Sequence, residues 1–248
     1  MSDLVTLLWT PDILPAAVVI AAAGFVHGYT GGFGAGLLMV PVLSLYYGPI
    51  QAIATSCIMG LVAAIPLVRG AARALRVAEL LPLLATATIA TPLAAQILLG
   101  ADGTLMRRII GALVVLSALL LATGWTYAGR RDWRTGSAAG LVSGLFSGMA
   151  GMSGPVLAVY YLSAPEPPAV IRAQIVFAVA GAIVITLATL SLSGEVLTAT
   201  YVRSGSLLPL HLLLVGLGAW AFRTAPARWF RPAVLGLLVA IGVYVVVA

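Results

Sequence analysis

Charge is what this sequence has least of. Only 8% of its 248 residues are Asp, Glu, Lys or Arg, 62% are hydrophobic, and the mean hydropathy is +1.12, far outside the range of a soluble globular domain. The chain reads as an all-α integral membrane protein embedded in a lipid bilayer. Lysine is missing, so the 13 basic residues are all arginine, and acidic residues number seven. A net charge of +6 would suggest nucleic acid in a soluble protein, but these arginines gather in short loops between apolar runs. They read as topology determinants facing anionic headgroups, with no nucleic-acid partner. The single cysteine, Cys57, excludes an intramolecular disulfide and reads as a small core residue, with no metal or cofactor to hold. No Walker-type glycine-lysine motif occurs, so ATP hydrolysis by this chain is not expected. Asp3 and Asp12, but no Lys or Arg, precede the first apolar run, so a cleaved signal peptide is not expected either.

Glycine, by contrast, is plentiful and patterned. Gly24, Gly28, Gly31 and Gly34 are spaced G-x3-G-x2-G-x2-G, and Gly144, Gly148, Gly151 and Gly154 repeat the spacing 120 residues later. The chain reads as one unit written twice, a first repeat over 1–128 and a second over 129–248. Each frame lies in an apolar stretch, where glycines at this density mark a break in a membrane helix.

In the first repeat, 13–47 is apolar but interrupted from His27 to Gly36. The pieces on either side are about 22 Å and about 16 Å long at 1.5 Å per residue, too short to cross a core of about 30 Å. Spans are expected at 51–68, 77–99 and 105–127. The second repeat has an interrupted stretch at 136–163 and spans at 170–192, 204–222 and 231–247. Arginines cluster at 69–76, 130–134 and 223–231. Placing all three clusters in the cytoplasm requires an even number of crossings between them, which holds only if 136–163 enters and leaves on one side. Each repeat is then a re-entrant hairpin plus three transmembrane helices, the repeats are inverted, and both termini are periplasmic. The competing arrangement takes each interrupted stretch as one broken crossing, with eight spans, parallel repeats and one arginine cluster outside.

The glycines have a packing role open to them, since small residues four apart let helices approach closely in lipid. They also have a binding role. Unwound backbone at mid-membrane and the N-terminal ends of the second half-helices present free N–H donors to an anion. Pro155 marks the start of one half-helix, and Leu37 should lie near the start of the other. The candidate substrate ligands are Thr30, Gly31, Gly34, Gly151, Ser153 and Gly154 at the two tips, with Gln51, Arg172 and Gln174 near the starts of the spans that follow. His27 is ionisable and intramembrane, which makes it the candidate proton-coupling group. Ser143 and Ser147 can satisfy their hydroxyls on their own helix.

At these residues the chain resembles the sulfite exporter TauE/SafE family, also called the toluenesulfonate uptake permease family. The resemblance is carried by Gly24-Phe-Val-His-Gly28 leading into Gly31-Gly-Phe-Gly34 and Pro41, and by Ser143-Gly-Leu-Phe-Ser147-Gly-Met-Ala-Gly151-Met-Ser-Gly154-Pro155 with Arg172 downstream. It spans essentially the whole chain. It implies a bacterial inner-membrane carrier for sulfite or an organosulfonate, coupled to a proton or sodium where uptake runs against the membrane potential. His27 stands where the family often has a small residue. The expected function is a secondary transporter, not an enzyme, alternating access around a midplane site and able to act as a homo-oligomer. The alternative is an intramembrane serine hydrolase, since Gly151-Met-Ser153-Gly154 is a literal G-x-S-G and His211 follows in a later span.

Overall fold

Apolar runs interrupted by glycine and proline become helices throughout the part of the chain that the computed structural model describes, residues 13–30, 34–162, 166–224, 236 and 238–246. In order these are α1 (Ile13–Thr30), α2 (Ala35–Tyr47), α3 (Pro49–Ala71, followed by a short 3-10 turn, Ala72–Ala74), α4 (Val77–Gly100), α5 (Gly103–Thr123), α6 (Trp133–Ala150), α7 (Gly154–Tyr161), α8 (Pro168–Leu192), α9 (Thr198–Thr224) and α10 (238–246). No strand occurs among the described residues. Local chemistry sets several ends. Pro49 and Pro168 open α3 and α8, where a missing N–H costs nothing. The Asp102 carboxylate accepts from the Leu105 N–H at 2.6 Å, and Asp132 with Thr135 forms a capping box at the start of α6. The Thr135 N–H also holds the Asp132 carboxyl below the usual carboxylate range.

α1 and α6 have the same length and begin at positions 13 and 133, the 120-residue offset of the glycine frame. Their packing partners correspond as well. α6 lies along α4 and α1 lies along α9, so each first helix leans on a helix from the other half of the chain. Both pairs run parallel. On α6, Gly136 faces Pro82, Gly140 the Leu83 carbonyl, Gly144 Ala87 and Ala90, and Gly148 the Thr91 carbonyl. On α1, Gly24 faces the His211 carbonyl and Gly28 that of Val215, while Gly218 of α9 faces the Phe25 carbonyl in return. A Cβ at Gly28, Gly140, Gly148 or Gly218 would overlap backbone of the neighbouring helix. α3 and α8 pack between the two pairs.

Two glutamines tie the ends. Gln51 on α3 donates from Nε2 to the Glu195 carbonyl at 2.9 Å and accepts from the Leu197 N–H at 3.1 Å and the Thr200 hydroxyl at 2.6 Å, supporting the start of α9. Gln174 on α8 donates to the Arg76 carbonyl at 3.0 Å and the Glu79 carboxylate at 3.3 Å, supporting the start of α4. At the Gln174 end, Arg76 also meets Glu166 at 2.6 Å and Glu79 at 3.2 Å, and Arg131 donates to the Tyr160 carbonyl. The start of α6 and the end of α7 therefore share one end of the molecule. At the other end Arg203 stacks over the Tyr47 ring, 4.7 Å from its centroid, so the end of α2 lies beside the start of α9.

Six helices among the described residues are long and apolar enough to cross a membrane: α1, α3 with its 3-10 turn, α4, α5, α8 and α9. Five of them match expected spans. α1 is an addition, because it continues through His27 and Gly28 to Thr30, where the sequence suggested a break from His27 onward. Gly28 serves close packing on α9 rather than unwinding, so the helix runs on. α5 stops at Thr123, short of the expected 127, because Gly124 turns left-handed with φ 67°. α9 begins at Thr198, six residues before the expected 204, where Gln51 supports its start. Gly31, Ser163, Arg228, Arg231 and much of the expected span at 231–247 lie outside the described residues.

The glycine contacts predict a contrast between two single-methyl additions. Gly148→Ala, which drives a Cβ into the Thr91 carbonyl, should cost about 1–3 kcal/mol through forced separation of α4 and α6. Gly216→Ala, on α9 with nothing within 4 Å of the new Cβ, should be neutral or stabilise by about 0.4–1 kcal/mol. Thermal unfolding in detergent measures both, and equal melting temperatures for the two variants would contradict the packing described.

Candidate functional site

The two breaks meet. α6 ends in the left-handed residue Gly151, φ 65°, whose N–H returns to the Ser147 carbonyl at 2.8 Å. Gly34, φ 113°, precedes α2 in the other break. A side chain at either position would be strained, which accounts for glycine at both. The breaks then touch directly, for a Cβ on Gly36 would lie 3.1 Å from the Gly151 carbonyl oxygen.

Between them lies a cavity of about 40 Å³ lined by His27 and Gly34–Leu37 from the first break and by Gly151–Pro155 from the second. Ser56, Cys57 and Gly60 of α3 and Val179 and Ile183 of α8 complete it. These residues sit near the middle of α3 and α8, so the cavity lies deep within the helix bundle. Both second half-helices, α2 and α7, begin on its wall. The first N–H groups of a helix have no partner within that helix, and they carry the positive end of its dipole. At the first half-helix end on α6, the N–H groups of Gly151 and Met152 bond back to Ser147 and Phe146, so part of the opposing carbonyl charge is already neutralised. No Asp or Glu lines the cavity among the described residues. Ser153, 3% exposed, is the N-cap of α7 but makes no capping bond with its hydroxyl. That hydroxyl is available to a bound group.

The sequence-derived candidates divide. Gly34, Gly151, Ser153, Gly154 and His27 come together on this cavity. Thr30 does not line it and returns its hydroxyl to the Val26 carbonyl at 2.8 Å. Gln51 and Gln174 are held at the starts of α9 and α4, with Gln51 engaged through both amide atoms. Arg172 is exposed on α8 at the arginine-rich end, away from the cavity. Ser143 bonds the Gly140 carbonyl at 3.2 Å, and Ser147 crosses to the Thr186 hydroxyl at 2.7 Å. Ser56 and Cys57 are additions from the structure. The cue was available, since a Thr-Ser-Cys run at the centre of a span puts small polar groups where lipid-facing helices carry none, but nothing in the sequence tells which way they face.

His27 is 3% exposed, and neither ring nitrogen has a hydrogen-bond partner. His211 lies behind it with ring centroids 5.9 Å apart. His211 does not line the cavity, and its Nδ1 faces the Ile20 carbonyl at 3.2 Å. A serine hydrolase would need that imidazole within hydrogen-bond reach of the Ser153 hydroxyl. The structure pairs it with Ile20 and His27 instead.

A second cavity of about 200 Å³ opens at the arginine-rich end between Glu79, Arg131, Trp133 and Tyr160. Arg131 is committed there to the Tyr160 and Tyr127 carbonyls.

No curated protein and no solved structure matches the chain significantly. Residues 16–245, nearly the whole chain, match the protein family described as Sulfite exporter TauE/SafE. With six helices fit to cross a membrane and a cavity carrying a few polar groups between two broken ones, the chain belongs to the TauE/SafE family of membrane transporters.

Proposed function

We propose that this chain carries sulfite or a very short sulfonate across the bacterial inner membrane, with the anion held between the two helix breaks. The observation that carries this reading is the cavity itself. Two half-helix N-termini and the free Ser153 hydroxyl converge on it, Ser56 joins them, and no carboxylate opposes an anion. Its size narrows the substrate. One water occupies about 10–15 Å³ on this scale, so a cavity of about 40 Å³ suits an ion of sulfite's bulk and leaves no room for an aryl sulfonate. Thr30, Gln51, Gln174 and Arg172 have no part in the site so defined. Gly34, Gly151, Ser153 and Gly154 form it, with Ser56 added.

Alternating access by inverted repeats is the arrangement we favour, and three features support it. α1 and α6 are offset by 120 residues and lie parallel to α9 and α4, helices of the opposite halves. The start of α6 and the end of α7 share the Arg76 end, whereas the end of α2 lies with the start of α9 at the other. Each interrupted segment then dips in and returns on its own side. Among described residues Arg69, Arg73, Arg76, Arg130, Arg131, Arg134, Arg172 and Arg223 belong to the Arg76 end, against Arg107, Arg108 and Arg203 at the other. The excess supports a cytoplasmic Arg76 end. Export of one negative charge gains about 2.3 kcal/mol per 100 mV and needs no coupling ion. Uptake needs one, and His27 on the cavity wall supplies a proton site.

Two measurements test this. Sulfite at a hundred times its dissociation constant should stabilise the purified protein by about 2.7 kcal/mol. Ser153→Ala should weaken binding by about ten- to a hundredfold, the worth of one hydrogen bond to a charged group. Absence of stabilisation by any small oxyanion would sink the proposed site. In the second, His27→Ala should lose proton-driven uptake in proteoliposomes while keeping part of its sulfite binding, and a pH dependence of transport identical to wild type would remove His27 from coupling.

A further inference from the structure

The chain has two histidines, and they meet. His27 on α1 and His211 on α9 lie edge to face with centroids 5.9 Å apart, 3% and 0% exposed. The His211 Nδ1 sits 3.2 Å from the Ile20 carbonyl oxygen. A carbonyl can only accept, so Nδ1 carries the hydrogen and Nε2 of the neutral ring is left as a bare acceptor. That Nε2 and both ring nitrogens of His27 are buried without a hydrogen-bond partner. Leaving three such nitrogens unpaired in a closed interface is costly, and packing alone gives no reason for it.

Proton binding gives this arrangement a use that packing does not. Among the described residues the titratable and charged groups on the elements packed around the pair are few: Tyr29 on α1, Tyr46 and Tyr47 on α2, Cys57 and Arg69 on α3, and Tyr201, Arg203 and Arg223 on α9. Arg203 lies over the Tyr47 ring, eight residues before His211, and Arg69 is at the far end of α3. α1 and α2 contain no carboxylate or guanidinium. Among the described residues a proton on the pair therefore has no fixed counter-ion. Two positive charges at this separation would repel strongly inside the protein, so the pair holds one proton and no more. The group that can balance it is an anion in the cavity whose wall His27 forms.

We propose that His27 and His211 together hold a single proton at the α1–α9 interface and that the cavity anion is its counter-ion, so that anion and proton load together. This rests on the anion-carrier reading above and extends it to His211, which does not touch the cavity. Because α1 and α9 come from opposite halves of the chain, that proton also joins the two parts that alternating access would move.

The test uses purified wild-type protein and H211N, a substitution that keeps a donor for the Ile20 carbonyl and removes the basic nitrogen that can take a proton. NMR of isotope-labelled histidine reads these two rings alone. Between about pH 8 and pH 5, where histidine ordinarily titrates, the wild-type pair should stay neutral without an anion and take up one proton over both rings together with saturating sulfite. Saturating sulfite should raise the proton affinity of the pair by about tenfold or more, and H211N should change that of His27 by a similar factor. Two rings that charge fully and independently in wild type overturn the proposal without recourse to any variant. So does a His27 titration that is the same in H211N, or one unmoved by bound sulfite. In proteoliposomes H211N should still exchange sulfite but fail to accumulate it under an imposed pH gradient, and retained accumulation would overturn the proposal. Failure of the carrier reading looks different: wild type would then neither exchange sulfite nor be stabilised by it, while the ring titration would still decide whether the pair holds one proton and no more.

Discussion

Direct backbone contact between helices from opposite halves of the chain is the constraint on which the rest of this structure depends. In lipid there is no hydrophobic drive to bring helices together, so van der Waals packing has to do it, and packing is closest where side chains are absent. Gly140 and Gly148 bring α6 against the carbonyls of Leu83 and Thr91, and Gly28 with Gly218 does the same for α1 and α9. These two seams hold the first helix of each broken pair at a fixed depth. Once that depth is set, both breaks fall at the same level, beside the middle of α3 and α8, and the cavity follows.

The glycine frame thus performs two tasks in sequence. Gly24 and Gly28, like Gly144 and Gly148, are packing residues on intact helix. Gly34 and Gly151 are the residues where the backbone turns left-handed and the helix gives way. The division has a functional reason. A break exposes backbone polar groups that lipid cannot satisfy, so it is tolerable only where helices are already packed around it, and the first two glycines of each frame supply that packing.

Polar residues sort by the same logic. Gln51 and Gln174 support the exposed beginnings of α9 and α4, where N–H and carbonyl groups need partners. Most of the hydroxyls return to carbonyls or pair with one another, as Thr30 and Ser147 do. At the cavity and behind it stand the Ser153 hydroxyl, which makes no capping bond, the first N–H groups of two half-helices, and three unpaired nitrogens of His27 and His211.

The sequence by itself determined the membrane class, the duplicated glycine frame, five of the spans and the place of each break to within a few residues. Hydropathy, helix period and glycine spacing are local properties, and lipid leaves few alternatives to a helix. It also brought Gly34, Gly151, Ser153 and Gly154 forward as candidates, all of which line the cavity, because a glycine-rich break is visible wherever it occurs. Only the tertiary structure decided that Gln51 and Gln174 belong to helix starts, that Thr30 turns away, that Ser56 and Cys57 face the cavity and that His211 stands behind His27. Each of those outcomes depends on which face of one helix meets another, often from more than a hundred residues away. A helix that is apolar all round carries no moment to mark that face, so the direction of a lone glutamine, serine or histidine becomes fixed only when the partner helix is in place.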